Sequence, residues 1–196
     1  MDTDEPFGAG AEATRKAVEH LGYVQIDTIN VIERCHHHIL FTRIPAYARS
    51  DLRQAHAIDK TVFEYWAHAL AYLPTKHMPH FVRDMHAHRK RETAVKKEEL
   101  RKVLSRIRKH GALSLRDIDD DELVAKDHAW ASKKPSARAL RLAFYQGHLA
   151  ITERNGILKT YDLASRHSVG SARRVPPASA RRLAIYSIVP CARRES

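Results

Sequence analysis

The chain has 196 residues, of which 43% are hydrophobic, so it can form one large domain or two small ones. Its formal net charge of +11 indicates a polyanionic partner, nucleic acid before a membrane surface. No apolar run approaches the ~18 residues that span a bilayer, and residues 1–10 are acidic and lack the apolar core of a signal peptide. We therefore expect a cytoplasmic protein. Cys35 and Cys191 are too few for a disulfide scaffold, which agrees with a reducing compartment.

The N-terminal part of the chain predicts two helices joined by a short extended segment. Residues 12–21 have helical apolar spacing and are followed by Gly22, a residue type that often ends helices. Residues 23–27 alternate in period two, as in a strand. A second helix is expected from residue 29 to residue 40.

The alternation between the two helices places the side chains of Gln25 and Asp27 on the same side. Asp27 then has two interpretations. Either Asp27 or Thr28 is the N-cap of the following helix. Alternatively, Asp27 stabilises a developing cation or activates water, while Gln25 orients the reacting group. The spacing alone leaves both interpretations open.

The middle of the chain predicts three further helices. A short one is expected at residues 51–58, and a longer one over residues 61–73 that ends at Pro74. The longer helix has an apolar stripe that we expect to be buried, formed by Val62, Phe63, Trp66, Leu70 and Leu73. Met78-Pro79 begins the next helix, with the proline in its first turn.

The following segment predicts a winged helix. Helices are expected at residues 95–110 and 136–146, with a short helix capped by Ser114 between them. Asn155-Gly156 between two strand-like runs is typical of a β-hairpin, which would form the wing.

The third helix of such a module faces the major groove of DNA, which would present Ser136, Arg138 and Arg141. Winged helices also serve as protein-interaction scaffolds. DNA is favoured here by a set of basic residues around the module, namely Lys133, Lys134, Arg138, Arg141, Arg154 and Lys159.

The fourteen histidines of the chain raise the question of a metal site. His36, His37 and His38 are consecutive in a predicted helix, so their rings point about 100° apart and do not converge on one ion. The pair His77 and His80 has no Cys or Glu at a convincing spacing. We therefore predict neither a metal nor another cofactor.

The C-terminal segment differs in composition from the rest of the chain. From Leu163 to Ser196 there are seven Arg and one Glu, so this segment carries +6 of the total charge. One interpretation is a basic tail that binds nucleic acid. The other, which we favour, is a frameshift that replaces the natural C-terminus after about residue 163. In either case we expect a segment of low order, because its Arg, Ser and Pro residues bury little apolar area.

Several motifs, all in one order along the chain, resemble a bacterial family. They are Gly22-Tyr23-Val24-Gln25-Ile26-Asp27, Ile29-Asn30-Val31, Arg34-x-His36-His37, Leu40-Phe41-x-Arg43-Ile44-Pro45, Phe63-Glu64-Tyr65-Trp66-x-His68-Ala69, Leu73-Pro74 and Arg83-x-Met85. The family is that of the AlkZ/YcaQ-like DNA glycosylases, also called winged-helix crosslink-repair glycosylases. Its catalytic motif is Gln-hydrophobic-Gln or Gln-hydrophobic-Asp, and Gln25-Ile26-Asp27 matches the second form. The resemblance covers roughly residues 12 to 162.

The resemblance implies a function and a set of site residues. Family members remove alkylated bases and unhook interstrand crosslinks in double-stranded DNA without a cofactor. Gln25 and Asp27 would be the catalytic residues, and we expect a monomer. DNA contacts are assigned to the motif residues Arg34, His37, Arg43 and His68, and to the basic residues Lys133, Lys134, Arg138 and Arg141. The alternative is a winged-helix transcription regulator without catalysis.

Together, the elements and the resemblance predict a mainly α fold with tandem winged helix-turn-helix modules and a small β-hairpin wing. The first module would span residues 11–90 and carry Gln-Ile-Asp, the second residues 91–163, and the basic tail residues 164–196. Because the family continues beyond this point with further domains, we expect a shortened chain with weak activity or none.

Overall fold

The computed structural model describes residues 6–27, 29–118, 132 and 134–167. The α-helices are α1 (Gly10–Leu21), α2 (Cys35–Phe41), α3 (Arg49–Arg53), α4 (Met78–Lys90), α5 (Lys97–His110), α6 (Pro135–Tyr145) and α7 (Ala164–His167). The strands are β1 (Val24–Gln25), β2 (Val62–Trp66), β3 (Leu70–Pro74), β4 (Leu113–Ser114), β5 (Leu149–Asn155) and β6 (Leu158–Leu163). Shorter turns are the π-helical Gln54–Ile58 and the 3-10 segments Thr75–His77 and Leu115–Asp117.

The described chain is mainly helical, as predicted, and has two small antiparallel sheets with the same strand order. The first sheet has the order β1-β3-β2 and the second β4-β6-β5, so the last strand of each set lies in the middle. β5 and β6 form the hairpin predicted at Asn155-Gly156, where Gly156 has the positive φ of 62° that such a turn favours.

The predicted helix over residues 61–73 is wrong, because this segment forms the β2–β3 hairpin. On one face of the hairpin, Val62 and Tyr72 pack with α1 and α3. On the other face, Phe63 and Leu73 pack with α5 and α6. A strand that is buried on both faces is a nearly continuous apolar run and loses the period-two pattern that identifies strands. The first sheet is therefore the layer between the two apolar cores.

Several predicted helix boundaries are confirmed. α1 ends before Gly22 (φ 79°) and α5 ends before Gly111 (φ 88°), two glycines in a conformation that other residues rarely adopt. α4 begins at Met78 with a proline in its first turn. The Ser114 hydroxyl accepts a hydrogen bond from the backbone N–H of Arg116 and caps the short turn that follows.

The predicted start of the second helix is wrong. α2 begins at Cys35, and residues 29–34 lie outside any helix, with a bridge between Asn30 and Arg34. The apolar residues that suggested a helix here are exposed to solvent, namely Ile29, Val31 and Ile32. Their spacing therefore does not mark a buried helix face.

Two side chains are placed differently from their predicted environments. Ser136, which we expected to face DNA, is only 2% exposed, because it lies on the same face of α6 as the buried Ala139, Leu140 and Ala143. Trp66, which we expected in the core, is 46% exposed at the end of β2.

An ion pair between Glu64 in β2 and Arg154 in β5 connects the two halves of the chain. The Nε and Nη2 atoms of Arg154 lie 2.9 and 2.5 Å from the two carboxylate oxygens, and the side chains are 0% (Glu64) and 7% (Arg154) exposed. Burial by itself would raise the pKa of Glu64, but the hydrogen bonds and charge of Arg154 outweigh burial and hold this pKa below its ordinary value. The pair is therefore charged and shielded from water.

Aromatic rings continue from this ion pair through the buried interface. Tyr72 contacts His36 and His56 edge-on, with ring centroids 5.7 and 5.5 Å apart, and His56 lies 6.2 Å from His167. Burial lowers the pKa of His36 and of His167 to about 4 and also lowers that of His56. The three histidines are therefore neutral at pH 7.

The first residues of the predicted low-order tail are packed. Residues 164–167 form α7, where the Ala164 N–H donates to the carbonyl of His148 and Arg166 donates to the carbonyls of Ile107 and Arg108. His167 is buried. The prediction of low order is wrong for these four residues, and the rest of the tail lies outside the described residues.

The ion pair predicts strong coupling in a double-mutant cycle. Glu64→Met and Arg154→Met should each lower the free energy of unfolding by roughly 3–5 kcal/mol, because each leaves a buried charge without its partner. The double variant should lose much less than the sum, since it removes both charges. Urea unfolding measures all three variants, and additive losses would contradict the coupling. As a control, Arg53→Met removes the exposed pair with Glu153 and should cost about 1 kcal/mol or less.

The buried histidines predict a loss of stability in mild acid. Because their folded-state pKa values lie below the ordinary 6.5, the unfolded chain binds more protons between pH 6.5 and about 4. The free energy of unfolding should therefore fall as the pH drops through this window, by up to roughly 3 kcal/mol for each of His36 and His167.

Urea unfolding at about pH 7.5 and about pH 5 tests this dependence. His36→Gln and His167→Gln should each reduce the difference between the two pH values. His38→Gln changes an exposed neighbour on α2 and should leave the difference unaltered. Equal pH dependence in all three variants would show that the buried rings do not cause it.

Candidate active site

Gln25 and Asp27 lie on one side of an extended segment that the first sheet fixes in place. Val24 and Ile26 are buried, whereas Gln25 and Asp27 are half-buried, so the predicted alternation is confirmed. Gln25 pairs with Ala71 of β3, and the Ile26 N–H donates to the carbonyl of Leu70 at 2.8 Å. The backbone from Val24 to Ile26 is therefore held by the central strand of the sheet.

Asp27 closes a local turn and does not cap a helix. Its Oδ1 accepts a hydrogen bond of 2.8 Å from the N–H of Ile29. The prediction of a helix N-cap is wrong, because α2 begins eight residues later with Arg34 at the N-cap position. Among the described residues, Oδ2 of Asp27 and the side-chain amide of Gln25 have no hydrogen-bond partner. Both groups are thus available to a bound molecule.

Tyr23 and His68 lie next to this pair. Tyr23 precedes Gln25 by two residues and shares its side of the extended segment. The Tyr23 hydroxyl lies 3.5 Å from Nε2 of the exposed His68, and the two rings are edge-on at 4.8 Å. His68 belongs to the turn between β2 and β3, so the hairpin brings it to the candidate site. We did not predict a role for Tyr23, although its place in the period-two alternation indicates the position.

The three consecutive histidines of α2 have different environments, as expected from a helix. His36 is buried, His38 is exposed, and His37 is half-buried with its Nδ1 2.6 Å from the Tyr47 hydroxyl. Burial lowers the pKa of His37. Within the described ranges, no group of three His, Cys, Asp or Glu side chains is placed to hold a metal ion.

The predicted DNA-contacting residues fall into separate places. Arg34 and His37 line a cavity of about 390 Å³ between α2, α3 and the tip of the β5–β6 hairpin. Arg43 instead donates to the carbonyl of Ile39 and to the Thr42 hydroxyl, so it braces the end of α2.

The other predicted cations belong to α6 and its N-terminal approach, which do not line this cavity. Lys134 and Arg141 are exposed and Arg138 is half-buried. Lys133 lies outside the described residues.

None of the helices in the described ranges is long and apolar enough to cross a membrane.

Comparison with known proteins supplies the family of this chain. The model of the AlkZ-like DNA glycosylases matches residues 18–188, and no solved structure matches the chain. The match includes Gln25-Ile26-Asp27 and extends past residue 162, where we ended the resemblance from motifs alone. Because the match covers most of the chain, the protein belongs to the AlkZ-like family of DNA glycosylases.

Proposed function

We propose that this protein excises alkylated bases from double-stranded DNA and unhooks interstrand crosslinks, with Gln25 and Asp27 as its catalytic pair. The observation that carries this proposal is an amide and a carboxylate oxygen that lack hydrogen-bond partners among the described residues and lie on one side of a segment anchored in a sheet. Rigid placement of two such groups is what a hydrolytic site requires.

The reaction needs few groups from the protein. Alkylation of a purine ring nitrogen such as N7 makes the base cationic and a good leaving group. As the bond between C1′ and the base breaks, its electron pair goes to the base and positive charge develops on the sugar. Asp27 stabilises this charge and takes a proton from the water whose oxygen bonds to C1′. Gln25 holds that water or the sugar through its amide.

The turn at Asp27 orients its carboxylate for this role. Oδ1 is fixed by the N–H of Ile29, which leaves Oδ2 to face the reacting sugar. A carboxylate that is already oriented requires little reorganisation in the transition state.

The half-exposure of Gln25 and Asp27 supports action on crosslinks. A crosslinked base is tethered to the opposite strand and cannot be fully extruded into a closed pocket, as many glycosylases require. A site at the protein surface can reach the sugar while the base stays tethered. We further propose that one protein molecule acts on its own.

We also propose that the chain forms two winged-helix modules, residues 11–90 and 91–163. Each contains a helix, a short strand, a further helix and a hairpin, with the last strand in the middle of the sheet. This order supports the assignment. In the second module, residues 119–131 between β4 and α6 lie outside the described residues.

Substitution of the catalytic pair should separate rate from binding. Asp27→Asn keeps the Oδ1 acceptor for Ile29 but removes the charge, and it should slow base release by roughly 100-fold or more. Gln25→Ala should also slow it, and both should leave DNA affinity within a few fold, since the interaction acts mainly in the transition state.

The assay follows release of an N7-alkylguanine with protein in excess over DNA. Asp84→Asn, an exposed aspartate on α4, serves as the matched control and should keep the full rate. Full activity of Asp27→Asn would leave Asp27 as a turn residue only. Binding of one defined DNA sequence without any base release would favour a transcription regulator. The weak activity expected of a shortened chain stays a prediction that the unmodified protein tests in this assay.

The cations of α6 should contribute affinity that does not depend on damage. Removing Lys134 and Arg141 together by alanine substitution should flatten the slope of log affinity against log salt by up to about two, since each neutralised phosphate contributes roughly −0.9. The effect should be equal for damaged and undamaged duplexes.

Lys76 and Lys102 provide the matched control for the α6 variant. Both are already paired with carboxylates, so their joint replacement by alanine should alter the slope less. An unchanged slope in the α6 variant would place the DNA-binding surface elsewhere.

A further inference from the structure

We propose that the cavity between the first module and the β5–β6 hairpin holds one backbone phosphate of the DNA strand that carries the damaged base. This inference rests on the proposed function and adds a specific contact to it. The cavity has a volume of about 390 Å³, within the ~300–1,000 Å³ range of ligand pockets. It is lined from the first module by Asn30, Arg34 and His36, and from the hairpin by Arg154, Asn155 and Gly156.

The cations of the cavity are not equally available to a ligand. Arg154 is bound to Glu64, Arg53 to Glu153, and Arg49 to Glu33, the carboxylate that lines the cavity. Only Arg34, among the described arginines that line the cavity, has no carboxylate partner. An arginine guanidinium is planar and can donate two parallel hydrogen bonds to a phosphate. Arg34 therefore supplies the charge that an anion would neutralise.

The wall of the cavity also contains two buried nitrogen atoms without a partner. Nδ1 of His36 and Nε2 of His56 have no hydrogen bond among the described residues, although Nε2 of His56 lies 4.0 Å from Oε1 of Glu64. The two residues line the cavity and are 2% and 3% exposed. Buried polar atoms are nearly always hydrogen-bonded in folded proteins, so Nδ1 of His36 is the group of this wall that most needs a partner.

The two histidines differ in what they offer to that partner. His36 is neutral at pH 7 and can donate one N–H to a phosphate oxygen without taking up a proton. Nε2 of His56 lies 4.0 Å from Oε1 of Glu64, so this ring faces the buried carboxylate and His36 is the histidine left to contact the phosphate.

The hairpin tip leaves room for the guanidinium of Arg34. A Cβ atom at Gly156 would lie 3.4 Å from Nη2 of Arg34, which is an ordinary van der Waals contact, so the hairpin tip lies directly beside the charged group. The phosphate site thus exists only when the hairpin of the second module is docked on the first.

The cavity must lie close to the proposed catalytic pair, because few residues separate them along the chain. Asn30 follows Asp27 by three residues, so their Cα atoms are at most about 11 Å apart. Successive phosphates of one DNA strand rise by about 3.4 Å along the helix axis. The phosphate in the cavity would therefore lie within about three nucleotides of the sugar under attack, and holding it would set the position of that sugar.

Replacement of single phosphates by uncharged methylphosphonates tests the proposal. Duplexes with an N7-alkylguanine would carry one such replacement at each position around the lesion, and binding would be measured with Asp27→Asn to prevent turnover. We expect one position, within about three nucleotides of the lesion on its own strand, where the replacement weakens binding by about tenfold. In a protein that carries both Asp27→Asn and Arg34→Gln, the same methylphosphonate should weaken binding almost no further.

Two further variants test the hairpin side of the cavity and provide a control. Asn155→Asp puts a negative charge at the cavity from the hairpin while keeping a residue suited to the turn. It should weaken binding to the normal duplex and have little effect on the duplex with the sensitive methylphosphonate. Arg101→Gln removes an exposed arginine of α5 and should leave the sensitive position unchanged. Circular dichroism would confirm that each variant is folded.

A titration with inorganic phosphate provides a readout that needs neither DNA nor catalysis. The ¹⁵N resonances of the His36 and His56 rings should shift in the unmodified protein and should not shift in Arg34→Gln. Shifts with phosphate but no sensitive position in DNA would mean that the cavity takes a free anion, and this would overturn the proposal. Full base release by Asp27→Asn, with the coupling between Arg34 and one phosphate intact, would contradict the catalytic role of Asp27 and still support the phosphate site.

Discussion

The buried ion pair between Glu64 and Arg154 determines how the two halves of this protein fit together. Two charges removed from water are tolerated only when they meet in good geometry, so any displacement of the hairpin would leave both unpaired. A general apolar contact would permit sliding, whereas this bidentate pair allows a single arrangement. The cavity beside Arg34 and the ring contacts of Tyr72 both depend on that arrangement.

The same interface explains why the backbone at the candidate residues Gln25 and Asp27 is held in place. β3 is the central strand of the first sheet, and its two faces are covered by the two apolar cores. β1 adds to the edge of this layer, Gln25 is its last residue, and Asp27 lies two residues beyond it. Groups on a rigid strand are held more closely than groups on a loop. The packing of the two apolar cores against the sheet thus fixes the backbone that carries Gln25 and Asp27.

Local patterns in the sequence are sufficient to predict helix ends and turns where one residue type determines the backbone conformation. Gly22, Gly111 and the Asn155-Gly156 turn were predicted because few other residues suit a positive φ. The β2–β3 hairpin was missed because burial on two faces removes the alternation of a strand. The pairing of Glu64 with Arg154, separated by 90 residues, follows from no local pattern. For Gln25 and Asp27, the alternation predicts the side on which they lie. That the Gln25 amide and Oδ2 of Asp27 have no hydrogen-bond partner among the described residues could be learned only from the structure.

The half-exposed position of the proposed catalytic pair, Gln25 and Asp27, has a consequence for the mechanism. A carboxylate stabilises a sugar cation far better when water is excluded, because the charge interaction strengthens as the local dielectric falls. Asp27 is open to solvent on one side in the free protein, so the DNA itself must cover it. The energy that holds the DNA there has to come from phosphate contacts, since the damaged base stays tethered in a crosslink. Under the proposed function, the cations of α6 and the cavity at Arg34 would therefore contribute to the rate as well as to binding, because they would hold the strand in place while the bond breaks.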